Sequence, residues 1–291
     1  MSIDVLQEKI RKLKNPLVVD FSCLPELIPA HVREGADAMA AYVRFCSELM
    51  EGLKGTVGAV RYSFGQLALM GGGGLEALTE LLNTARKLGY YVILDAAEVL
   101  TPWSADRAAA AFFGADSKYP CDGLIVSPYI GTDAIKPFIP YCKDAEKDLF
   151  LTVRTPNKSA SELQDLLTGT RHVYTAAADL VSRYGDPILG KCGYSRVCAL
   201  TSAGAPGVVM ELREKYKRMF QLVDGLDYSS GNAKNCSYAF DRMGHGAAVC
   251  AGPAITAAWY TAETDGTDYV EQAVLKAERI RKKLSRYFTV V

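Results

Sequence analysis

The sequence is poor in the features that announce a function. Its 33 lysines and arginines balance 33 aspartates and glutamates, so no net charge draws it toward nucleic acid or anionic lipid. His31, His172 and His245 lie far apart and show no zinc spacing, so no metal is expected. The cysteines form no CxxC pair, a pattern of reduced cytosolic thiols and not of a disulfide framework. No apolar run approaches the ~20 residues that span a bilayer, and no signal peptide opens the chain. Ile3, Leu6, Ile10 and Leu13 instead recur at helical spacing among charged residues. The expectation is a cytoplasmic protein with no membrane segment and no nucleic-acid partner.

What is present is an alternation of short β-rich runs with longer helical patterns, which predicts βα units around a parallel sheet. The strands are read at 16–21, 56–62, 90–95, 121–127, 149–154, 194–200, 219–223 and 246–250. Between them, helices are expected at 31–54, 75–88, 102–113, 132–142, 173–184 and 206–216. A further helix would carry Leu163, Leu166 and Leu167 behind a Ser159 cap, and an amphipathic helix at 267–287 ends the chain. Eight strands in this order predict a TIM (β/α)₈ barrel, one domain over residues 1–291 with helical extensions at both termini.

The run YYVILDAAEVL at 90–100 is the centre of the reading. A buried strand that ends on Asp95 delivers a carboxylate to the C-terminal mouth of such a barrel. Asp95 reads two ways: as a catalytic or ligand-binding carboxylate, or as a strand-end residue held by Arg61 from the neighbouring strand. Asp20, Arg61, Ser63, Asn157 and Thr201 are further candidates to line a polar mouth for a small, nucleotide-like ligand. Gly71–Gly74 precedes no GK[ST] and reads as a flexible turn. Glu98 reads as a solvated loop charge and Lys158 as a surface lysine, though Lys158 is the nearest candidate for a relocated proton donor. The basic run at 276–286 reads as a solvated helix face.

Five segments carry a resemblance: VILDA at 92–96, SPYIGTDAIKPF at 127–138, LTVRTPN at 151–157, ELQDL at 162–166, and the strand spacing from Leu94 to Leu200. Together they resemble the orotidine 5′-phosphate decarboxylase family in its longer bacterial form. The resemblance implies a TIM barrel that dimerises through its active-site face. It also implies a cofactor-free reaction, in which a lysine ammonium stabilises and protonates the carbanion left when carbon dioxide departs. The family motif D-x-K-x-x-D falls on Asp95, Ala97 and Leu100, so the lysine becomes alanine and the last carboxylate becomes leucine. A second family lysine, at the end of strand two, becomes Arg61, and Asp20 falls where the family has a ribose-contacting aspartate.

The phosphate grip implied by the family is altered too. Ser229 stands near its glutamine and Pro253 near its arginine, and Pro156 replaces a serine that touches the pyrimidine. Asp224 and Asp227 add negative charge in that region; at roughly 6 Å and an effective dielectric of 20, each repels a unit negative charge by about 3 kcal/mol.

Losing a general acid alone typically lowers rate ~10²–10⁴-fold, and guanidinium is no substitute because it does not deprotonate. The leading expectation is therefore a divergent member that does not decarboxylate and acts by binding a ligand or a partner, as a homodimer or a heterodimer with a paralogue. Leu100, Pro102 and Trp103 are apolar where the family is polar, and read as an interface plug or as core, the interface being favoured. The alternatives are a decarboxylase of pyrimidine biosynthesis with a rearranged site, or a different small-molecule enzyme using the same mouth.

Overall fold

The computed structural model describes residues 2–22, 25–98, 101, 103–227 and 231–291. Eight short strands close into one parallel barrel: β1 Leu17–Asp20, β2 Ala59–Ser63, β3 Tyr91–Asp95, β4 Gly123–Val126, β5 Asp148–Thr152, β6 Val197–Ser202, β7 Gln221–Asp224 and β8 Ala247–Ala251. β8 closes onto β1 with Leu17 opposite Val249. Around the barrel run α1 Ile3–Leu13, α2 Ala30–Arg33, α3 Ala38–Leu53, α4 Phe64–Ala68, α5 Gly71–Lys87, α6 Ala105–Phe113 and α7 Ile139–Asp144. They are followed by α8 Val173–Gly185, α9 Pro206–Lys215, α10 Ala233–Ser237, α11 Pro253–Thr256, α12 Ala258–Thr261 and α13 Tyr269–Leu284. Among the described residues no helix is long and apolar enough to cross a membrane.

Successive side chains of a strand point to opposite faces, and this sorts the apolar residues into two cores. Val18, Ala59, Tyr91, Ile93, Ile125, Phe150, Cys198, Leu200, Leu222, Ala248 and Cys250 fill the barrel. Their alternates, such as Val19, Val60, Leu94, Leu149 and Val223, pack outward against the helices. At the N-terminal end Ile3, Leu6 and Ile10 of α1 join the inner cluster and form the barrel floor. The alternation also fixes the mouth, because the last inward position of each strand is the one that reaches it.

Gly123 shows how tightly the inner core is filled. A Cβ there would stand 2.6 Å from Phe150 Cε2 and 2.9 Å from the Tyr91 hydroxyl. Neither ring can retreat, since Tyr91 and Phe150 are fully buried. Gly123→Ala is expected to destabilise the fold by about 1–3 kcal/mol, read as a lower urea midpoint with unchanged slope.

Several expected elements differ in the structure. The helix expected over 31–54 is split into α2 and α3, because the Asp37 carboxylate accepts from the Met39 and Ala40 amides and starts α3 afresh. Gly71–Gly74 is not a flexible turn but the first turn of α5. The helix expected over 132–142 is a chain of 3₁₀ turns leading into α7, where Pro137 and Pro140 leave no run of amides for a longer helix. α6 begins at Ala105, and Pro102, where that helix was expected to start, lies outside the described residues.

The largest difference follows β5. No helix carries Leu163, Leu166 and Leu167; a 3₁₀ turn, Lys158–Glu162, runs into a two-stranded hairpin pairing Leu167 with His172. Arg154, on the barrel, donates to both oxygens of Asp165 at 2.8 and 3.0 Å. The Thr155 amide and hydroxyl hold Gln164. These ties pin the segment in an irregular path and leave its three leucines at 50–65 % exposure.

Candidate functional site

Inward positions at the C-terminal ends of β1, β2, β3 and β7 carry Asp20, Arg61, Asp95 and Asp224. The register places Asp20 beside Arg61 directly. Arg61 is the hub of the group. One terminal nitrogen donates to Asp95 Oδ2 at 2.5 Å, and the other to Asp224 Oδ2 at 2.7 Å with Asp20 Oδ2 3.7 Å away. Three carboxylates thus share one guanidinium whose side chain is only 11 % exposed.

Burial alone disfavours the charge on Arg61, but Asp224, Asp20 and Asp95 outweigh it and hold the guanidinium firmly protonated. Burial pushes the Asp20 carboxyl up; Arg61 opposes this, and Asp224 adds to it. The remaining oxygens are used locally. Asp95 Oδ1 accepts from the Ala97 amide at 3.2 Å, Asp20 Oδ1 from the Ser22 amide at 2.9 Å, and Asp224 Oδ1 from the Gly225 amide at 2.7 Å. Asp95 is a strand-end residue held by Arg61, a contact that the catalytic and the ion-pair readings of its sequence both allow. The ionic contact with Asp224 joins residues 163 apart in the chain and carries no local signal; only its place as a strand-final aspartate hints at it.

Ala97 lies two residues beyond Asp95 and packs against the inner barrel cluster. The side chain directed at the mouth there is a methyl group. Asp227 makes the other local feature: its Oδ2 accepts the Gly252 amide, immediately before α11, whose first residue is Pro253. Burial raises the Asp227 carboxyl, the Gly252 amide lowers it, and Asp224 raises it again. An internal carboxylate thus takes up the amide at this end of β8.

Of the other sequence candidates, Ser63 stands beside Asp95 in the register and Glu98 feels the charges of Asp95 and Arg61. Ser63 faces inward but its hydroxyl caps α4, accepting from the Gln66 amide at 3.2 Å. Asn157 is exposed and donates to Ser159. Thr201 is not at the mouth: it is fully buried on the outward side of β6, 3.5 Å from Gln221 Oε1, because Cys198 and Leu200 take the inward positions of that strand. Lys158 is exposed in the turn after β5. Glu98 is an exposed loop charge that also rests on Gly65, where partial burial raises its carboxyl. Leu100 and Ser229 lie outside the described residues. Among the described residues no group of His, Cys, Asp and Glu side chains has the arrangement to hold a metal ion.

No family model matches the chain. Curated relatives do. An orotidine 5′-phosphate decarboxylase of Rhodopirellula baltica is 31% identical over 214 residues, covering 72% of this chain and 71% of its own. That of Clostridium novyi is 26% identical over 288 residues, covering 98% of both chains. Among solved structures, a Toxoplasma gondii protein described as an orotidine-monophosphate-decarboxylase superposes with a TM-score of 0.80 at 18% identity, over 98% of each chain. A Streptomyces avermitilis structure described as an orotidine 5′-phosphate decarboxylase gives 0.78 at 20% identity, over 99% of this chain and 97% of its own. These structures share the barrel.

Proposed function

The chain belongs to the orotidine 5′-phosphate decarboxylase family, and we propose that within it this is a member that does not decarboxylate and works by binding. The observation that carries the reading is the methyl group of Ala97 where a proton-donating ammonium is required. Interactions made only in the transition state set the rate, and a methyl group makes none with a developing carbanion. Arg61 does not take over, because its charge is already shared among three aspartates and it cannot give up a proton. Asp224 and Asp227 further oppose a phosphate ester at this mouth. The direct test is incubation with orotidine 5′-phosphate, following the loss of the substrate's absorbance and the appearance of UMP.

The binding role is supported by what the mouth presents around this cluster. Leu69, after β2, and Trp103, after β3, are 91 % and 93 % exposed, and the hairpin after β5 adds its three open leucines. Large apolar side chains set on the connections at one end of a barrel mark a surface that another protein covers. The occupant we propose is a second copy of this chain or a paralogue, joined through the mouth face. Sedimentation of the purified protein is expected to give a dimer, and Leu69→Glu with Trp103→Glu to shift it to monomer without loss of fold. A wild type that sediments as monomer at tens of micromolar removes self-association.

A further inference from the structure

At the opposite end of the barrel a carboxyl sits where a carboxyl is hard to keep. Asp148 opens β5 beneath α1 and is fully buried. Its Oδ2 accepts from the Tyr91 hydroxyl at 2.6 Å, while its Oδ1 is buried and finds no hydrogen-bond partner among the described residues. Gln7 Nε2 of α1 and Arg196 Nε, also buried in this region, have none either. Above Asp148 lies the apolar face of α1, whose Ile3, Leu6 and Ile10 close the barrel floor.

The polar ties of α1 to the barrel are few. The Cys192 amide donates to Asp4 at 2.7 Å, the Gly246 amide to Gln7 at 3.0 Å, and Lys9 to the Gly89 carbonyl at 2.6 Å. Titratable groups face Asp148 from several elements around it. β3 offers Tyr91; the approach to β4, Asp122; the approach to β6, Arg196; β6 itself, Cys198; and α7, Cys142. α1 contributes the Ile3 amide, with Asp4 beyond it 3.8 Å from Arg196, and the chain's amino-terminal charge acts on the carboxyl as well. Arg196 is also engaged by Glu146 at 3.2 Å and the Cys142 carbonyl at 3.2 Å, so it neutralises Asp148 only in part.

We propose that α1 is a pH-sensitive plug, seated on the barrel floor while Asp148 is neutral and lifting when that carboxyl ionises. The ionised form, answered by the Tyr91 hydroxyl, the Ile3 amide and part of Arg196, still places a full charge beneath the apolar face of the helix, with Oδ1 lacking a hydrogen-bond partner among the described residues. Lifting α1 admits water to that oxygen and uncovers the floor. Burial, which dominates over the Tyr91 hydroxyl, the Ile3 amide and Arg196, pushes the seated carboxyl up to about 8. In the lifted state it returns to the ordinary carboxylate range. Between those values the lifted form binds fewer protons than the seated one, so rising pH favours lifting.

Amide hydrogen exchange, corrected for the intrinsic rate, tests this on the whole protein at pH 5, 6.5 and 8. The α1 amides are expected to open up to tenfold more for each pH unit, while the β3 and β5 amides stay protected beyond them. In Asp148→Asn the α1 opening becomes independent of pH. Tyr91→Phe, which removes a donor to the ionised form, extends the rise to higher pH and serves if the asparagine variant does not fold. A flat profile in the wild type, an unchanged profile in Asp148→Asn, or α1 exchanging in step with the β-strands overturns the proposal.

Discussion

Given orotidine 5′-phosphate, the purified protein is expected to form no UMP above the uncatalysed background, and Ala97→Lys alone is expected not to restore it. A missing general acid is worth ~10²–10⁴-fold in rate, and a missing electrostatic stabiliser at a developing charge another ~10²–10³-fold. Both roles would fall to one ammonium, and position 97 supplies neither. Restoring the lysine leaves the second obstacle in place. Asp95, which would neighbour that ammonium, is already bound to Arg61 at 2.5 Å, and Asp224 and Asp227 stand in the region where the phosphate implied by the family would bind. Coupled assays against UMP, with a family member of full activity as the positive control, give the measurement. UMP formed by the wild type, and lost in Asp95→Ala, would end the non-catalytic reading and revive the rearranged-site alternative.

Arg61→Met is expected to destabilise the protein at pH 7 by about 3–5 kcal/mol, although the new side chain fills much of the same space. Removing one partner of a buried ion pair leaves the other charge uncompensated, and here three carboxylates are left facing one another. The loss should shrink on acidification, and the sign follows from linkage. A carboxyl whose folded-state affinity for protons is raised binds them more tightly folded than unfolded. The fold therefore gains stability as pH falls through the folded value. Burial already raises Asp20 in the wild type, and removing the cation raises it further. Urea midpoints at pH 7 and pH 5 are the readout; an equal deficit at both would assign the effect to packing and not to charge.

The barrel was legible in the sequence because its signals are local. Runs such as YVILD and LVVD are short, continuously apolar and rich in β-branched residues, as strands buried on both faces are, and the alternation with helices orders them. The pairing of Asp95 with Arg61 was legible for the same reason, both lying at the ends of adjacent strands. What failed was decided at a distance. Leu163, Leu166 and Leu167 have helical spacing, but Arg154 and Thr155 reach across from the barrel and hold Asp165 and Gln164 in a non-helical path. Thr201 was misplaced by parity: one residue along β6 exchanges the mouth for the helix layer, and nothing within the strand says which. Asp224 was readable as a charge near the mouth, but not as half of the clamp on Arg61.

The tie from Asp227 to Gly252 bears on how a natural ligand should be sought. On the non-catalytic reading proposed above, a compound collection built from nucleotides and sugar phosphates would be probing a doorway that the polypeptide bolts with its own acid. Uncharged polyols and amines are the better first shelf, screened alongside cell extracts for a macromolecule that covers Trp103.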